Sequence, residues 1–137
     1  MLSAPGVVVH GIDHARAALR LGLPVVLLSG EGAALYAGCG WWQALMAMAA
    51  AAFPETPMQD VLDCAAAPGF AMAALRQGQR LLVLSRRCPG FAAVRSAAAT
   101  RGATILPARP AALDLAEPGA SRRLHAWLRG DTAPAVR

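Results

Sequence analysis

Residues 6–28 read GVVVHGIDHARAALRLGLPVVLL. Gly6 to His10 carries three consecutive valines and stops at Gly11, the pattern of a short strand covered on both faces. Asp13 is expected to cap a helix that runs to about Leu21, with Ala15, Ala18, Leu19 and Leu21 available for packing and Gly22 as its stop. Leu23 to Leu28 is apolar apart from its proline, again without alternation, and reads as a second buried strand. These residues therefore describe one strand, helix, strand unit.

The same rhythm continues to the end of the chain. Met58 to Cys64 is expected to form a third strand, Gly69 to Gln77 a helix closed by Gly78, and Arg80 to Ser85 a fourth strand. Pro89 opens a helix reaching Arg101 and ending at Gly102. Ala103 to Leu106 forms a fifth strand, and Pro107 and Pro110 then break the chain into a loop. A last helix begins near Ser121, with Leu124, Trp127 and Leu128 on one face. The expected fold is a three-layer, doubly wound α/β domain, flavodoxin-like or Rossmann-like, with five mainly parallel strands. Residues 1–129 make one domain and 130–137 a disordered tail.

Composition narrows the chemistry. The 137 residues are 56% hydrophobic and only 15% charged. Mean hydropathy is +0.42. Such a chain can bury about two-thirds of its unfolded surface, and the apolar excess calls for a further apolar partner. Every basic residue is arginine, and there is no lysine or asparagine. A Schiff-base lysine, the lysine of a phosphate loop and a Cys-His-Asn triad are thereby excluded. Cys39, Cys64 and Cys88 are odd in number and widely spaced, which indicates neither a disulfide framework nor a zinc knuckle. The N-terminal residues lack the basic and apolar regions of a signal peptide, so a cytoplasmic location is expected. The formal charge is +5. No aromatic residues interleave with the arginines, which argues against nucleic acid as a partner.

The stretch from Ser29 to Pro54 is uncharged after Glu31. Its alanines and glycines contribute little to membrane insertion, and the regular strands on either side argue against a span. Gly30-Glu31-Gly32 imitates the first half of a dinucleotide loop, but Leu35 replaces the third glycine and Glu31 repels phosphate. Residues 32–53 are best read as one apolar helix that mediates homo-oligomerisation, with Tyr36, Trp41, Trp42, Met46 and Met48 as its large contact surface.

Ligands of parallel sheets bind outside the carboxyl ends of the strands. The residues there are His10 and Gly11, then Ser29, Gly30 and Glu31, then Asp63 and Cys64, then Ser85, Arg86 and Arg87, and finally Arg109. The arginines and the glycine loop suit a small anionic ligand. Cys64, Asp63 and His10 are the catalytic candidates: a thiolate stabilised by a neighbouring arginine, a carboxylate, and an acid or base at the rim. His10, Asp13 and His14 lie close in sequence, but a strand end and a helix start do not force them onto one ion, so no metal is expected. The residues specify no cofactor.

Two resemblances bear on these positions. Asp60-Val-Leu-Asp-Cys64 with Ala65-Ala66, and Val26-Leu-Leu-Ser-Gly-Glu-Gly32, resemble strand ends of DsrE-like sulfur-relay proteins, which implies Cys64 as a persulfide carrier. Asp63, Ser85 and the segment Gly102 to Pro110 are similar to response-regulator receiver domains. The acidic pair after the first strand is missing and Arg109 stands in place of lysine, so this likeness implies shared topology without phosphoryl transfer.

Overall fold

The structure, a computed structural model, describes residues 2–131. The end of the expected tail, residues 132–137, lies outside the described residues. Among the described residues the fold is α/β, with six parallel strands and six helices. The strands are β1 Gly6–Val8, β2 Val25–Leu28, β3 Met58–Asp63, β4 Leu81–Val83, β5 Thr104–Leu106 and β6 Ala112–Asp114. The helices are α1 Ile12–Arg20, α2 Ala33–Tyr36, α3 Cys39–Ala52, α4 Pro68–Arg76, α5 Phe91–Thr100 and α6 Ala120–Leu128. In the sheet the strands lie in the order β5-β4-β3-β2-β1-β6.

The chain packs as two compact units. One comprises Met1–Leu28, Leu45–Asp60 and Pro110–Arg137; the other comprises Ser29–Ala44 and Val61–Arg109. The first unit holds β1 between β2 and β6, with Val7 level with Leu27 on one side and Leu113 on the other. Every residue of β1 and β2 is buried, which is why these strands show no polar alternation. Helix α1 lays Ala15, Ala18 and Leu19 inward at helical spacing. Trp127 of α6 donates its indole N–H to the Gly6 carbonyl at 2.6 Å, and Thr56 donates its hydroxyl to the Leu19 carbonyl at 2.9 Å. In the second unit β4 lies between β3 and β5, with Leu82 paired to Leu62 and Ile105. Within the first unit Val25 N–H bonds to Pro57 O at 3.1 Å, and within the second Ser29 N–H bonds to Val61 O at 3.0 Å.

Several expectations are corrected. The sheet has six strands instead of five, because Ala112–Asp114 pairs with β1 where Pro107 and Pro110 suggested only a loop. Three residues with one inward side chain, Leu113, are too short for a periodicity signal. The expected helix over 32–53 is two helices. Ala37 and Gly38 both donate N–H bonds to the Ala33 carbonyl, and Gly38 turns to φ +93°. That positive φ closes α2, and α3 starts afresh at Cys39. Asp13 does not cap α1; Gly11 does, in an extended conformation, and Asp13 sits in the first turn where it favours the helix dipole. Likewise Gly90, not Pro89, precedes α5.

Helix α3 buries Cys39, Trp42, Leu45, Met46 and Ala49. Trp42 is fully buried and belongs to the core of this chain, unlike the contact role expected for it. Among the described residues no helix is long and apolar enough to cross a membrane.

The packing of β6 on β1 depends on the missing side chain of Gly6. A Cβ there would lie 2.9 Å from the Ala111 carbonyl and 3.2 Å from the Ala112 Cβ. Gly6→Ala is expected to cost about 1–3 kcal/mol by forcing β6 away, as overpacked cores do. Urea denaturation of the two proteins checks this; an unchanged midpoint would show that the β1–β6 pairing accommodates the added Cβ without strain.

Candidate functional site

Asp63 closes β3 and is 1% exposed. Its surroundings account for the burial of a carboxylate. Oδ1 accepts the N–H of Gly32 at 3.0 Å and of Ala65 at 2.7 Å, and Oδ2 accepts Arg109 Nη1 at 2.6 Å. The main chain of Asp63 is held as well, since its N–H bonds to Ser29 Oγ at 2.9 Å. Ser29 in turn donates its hydroxyl to the Gly30 carbonyl. Three segments from the ends of β2, β3 and β5 are thereby fastened to one side chain.

Above this node is a cleft of about 430 Å³, whose lining includes Glu31, Asp63, Ala65, Ser85, Pro107 and Arg109. Ala65 holds φ +52°, the one non-glycine residue with positive φ among the described residues. This conformation costs an alanine about 1–2 kcal/mol. It is held by the Ala65 N–H bond to Asp63 and by the Ser85 N–H, which meets the Ala65 carbonyl at 2.8 Å. The strained turn brings main chain to the cleft wall, a placement typical of ligand sites.

The expected site residues divide into groups. Glu31, Asp63, Ser85 and Arg109 line the cleft. Ser29 is fully buried and serves the backbone, and Gly30 accepts the Ala33 N–H that begins the turn into α2. Arg87 is exposed, its N–H bonded to Ser85 Oγ at 3.2 Å. Arg86 lines a second cleft of about 230 Å³ with Phe91, Arg95, Ile105 and Pro107. Cys64 is fully buried. Its thiol is pushed up from the ordinary 9.0 to about 12, first by burial, then by the charges of Asp63 and Cys39. A protonated, enclosed thiol is a poor nucleophile.

His10 belongs to the first unit, beyond the end of β1. Its Nε2 donates to Asp114 Oδ1 at 2.9 Å, and its N–H bonds to His14 Nδ1 at 3.1 Å. Gly11 follows as the cap of α1. This pair sits at the carboxyl ends of β1 and β6, where the strand order reverses. Asp114 escaped the sequence reading because its strand did; Phe91 and Arg95 escaped it because they lie in a helix, away from any strand end. Among the described residues no three His, Cys, Asp or Glu side chains converge to hold a metal.

The cleft beside Asp63 lies in the second unit. No histidine occurs in its unit, and all three cysteines of the chain are buried. Its polar side chains are one exposed carboxylate, one hydroxyl and an ion pair of buried Asp63 with half-buried Arg109. Arg109 keeps further guanidinium N–H groups beyond the one that meets Asp63, so it can also receive an anion.

The raised Cys64 value has a direct consequence. The unfolded chain loses its thiol proton near pH 9, whereas the folded chain keeps it until about pH 12. Stability therefore falls as pH rises between these values. Chemical denaturation from pH 8 to 10.5 is expected to show this decline, and Cys64→Ala is expected to flatten part of it; parallel profiles would show that Cys64 titrates normally.

Compared with models of known protein families and with curated proteins, the chain matches none.

Proposed function

We propose that the protein binds a small molecule carrying an anionic group at the carboxyl ends of its strands, in the cleft bounded by Glu31, Asp63, Ser85 and Arg109. The observation that carries this reading is the cleft itself, of about 430 Å³, built on a carboxylate whose every oxygen is occupied by its own chain. A buried Asp63 that spends itself on positioning leaves Arg109 aligned for a ligand, at the edge of a parallel sheet where small molecules bind. Burial of both faces of β1 and β2 supports the finer reading of a three-layer, flavodoxin-like arrangement.

A second reading has its own observation. The outward side of α3 presents Trp41, Ala44, Ala47, Met48 and Ala51 with no charge among them. Met48 is 56% exposed and Trp41 37%, and Tyr36 on α2 is 68% exposed. Exposed apolar surface of this kind suits a second copy of the chain as the apolar partner that the composition demands.

Thermal denaturation against nucleotides and carboxylated metabolites tests the first reading. A compound at about a hundred times its Kd adds about 2.7 kcal/mol, enough to raise Tm by several degrees. Ala108 also lines the cleft and is exposed, so Ala108→Trp is expected to fill the cleft and abolish the shift without lowering the starting Tm. If no compound stabilises the chain, the reading is wrong.

For the second reading, sedimentation velocity of Trp41→Glu is expected to show a smaller species than the parent. Equal sedimentation coefficients would assign the helix to this chain alone.

A further inference from the structure

The basic charge is unevenly distributed. From Cys64 to Leu113 the sequence holds seven arginines and no Asp or Glu. In the unit formed by Ser29–Ala44 and Val61–Arg109 the carboxylate side chains are Glu31 and Asp63, and Asp63 is committed to Arg109. Two of the remaining arginines meet in the second cleft, Arg86 from the loop after β4 and Arg95 from α5. Neither has a carboxylate partner among the described residues. Arg95 lies over the Phe91 ring, 5.6 Å from its centre, which holds the guanidinium at the cleft.

Two like charges sharing a cleft of about 230 Å³ repel one another, and a dianion between them would turn that repulsion into attraction. A carboxylate or phosphodiester brings one negative charge, whereas a phosphate monoester brings nearly two near neutral pH. Its oxygens also match guanidinium forks. The remaining walls, Phe91, Ile105 and Pro107, are apolar and suit a flat ring. Pro107 lines both clefts, so the two adjoin there.

We propose that the Arg86–Phe91–Arg95 cleft is a phosphate subsite, taking the monoester phosphate of a ring-bearing small molecule between the two arginines with the ring against Phe91. This rests on the reading that a small anionic molecule occupies the neighbouring cleft at Arg109, and it adds a second position, for a phosphate, beside that one.

Calorimetric titration with phenyl phosphate, benzoate and inorganic phosphate tests it. Phenyl phosphate is expected to bind about tenfold more tightly than benzoate, and Arg86→Gln and Arg95→Gln are each expected to weaken it about tenfold. Both arginines are exposed, so the variants keep the parent Tm. Phe91→Leu is expected to reduce the advantage of phenyl phosphate over inorganic phosphate. Absence of phenyl phosphate binding, or equal affinity in both arginine variants, overturns the subsite. A single-stranded oligonucleotide without terminal phosphate that binds more tightly than phenyl phosphate also overturns it, in favour of a polymer-binding surface. Failure here alongside a compound that still raises Tm in the survey above removes the subsite alone; failure of the whole survey removes the underlying reading too.

Discussion

The buried carboxylate of Asp63 is the constraint around which the candidate site is arranged. Enclosing an ionised group costs several kcal/mol unless it is paired and its lone pairs are met. Here one oxygen takes two main-chain N–H groups and the other takes Arg109. Each donor comes from a segment that would otherwise have a free choice of conformation: the glycine turn before α2, the turn after β3 and the segment after β5. Satisfying Asp63 therefore sets the position of all three. The site is shaped by an electrostatic requirement and only secondarily by its lining.

Two local features follow from that requirement. Ala65 accepts a left-handed conformation because its N–H must turn back toward Oδ1 of Asp63, two residues behind. The chain turn in turn leaves Cys64 facing inward, with its N–H on the Val83 carbonyl and its thiol fully enclosed. A reactive thiol next to Asp63 would face both low dielectric and a fixed negative charge. These two effects raise the same pKa, so the geometry that satisfies Asp63 also favours the protonated form of Cys64.

Much of the architecture was legible because it rests on local signals. The valine run before His10, the apolar residues before Ser29 and the glycines after the helices located β1, β2 and their connections through patterns that need no tertiary information. Reading the helices of residues 32–53 failed at Gly38, since one glycine among many gives no sign of which will take positive φ. The sixth strand was hidden for a different reason: Leu113 alone faces inward, and its pairing with β1 is a long-range event that three residues cannot announce. The site was half visible. Strand-end reasoning found Glu31, Asp63, Ser85 and Arg109. It missed the division of labour among them, because which arginine meets Asp63 is decided by how the segment after β5 crosses, and nothing in the spacing records that.

The pairing also decides which charges remain available. Arg109 is the arginine that the resemblance to receiver domains singled out, yet much of its charge is offset by Asp63 at 2.6 Å. The other arginines of the same unit have one exposed carboxylate among them, Glu31. A net positive field in a unit with a single satisfied ion pair has no internal remedy. It must be balanced by solvent ions or by a bound anion, and the proposed subsite is the cleft that Arg86 lines together with Arg95, whose guanidinium lies over the Phe91 ring. Arginine suits this role better than lysine would, because its planar group can stack on Phe91 and still direct N–H donors outward. A chain whose basic residues are all arginine is in that respect consistent with recognition by fork and face.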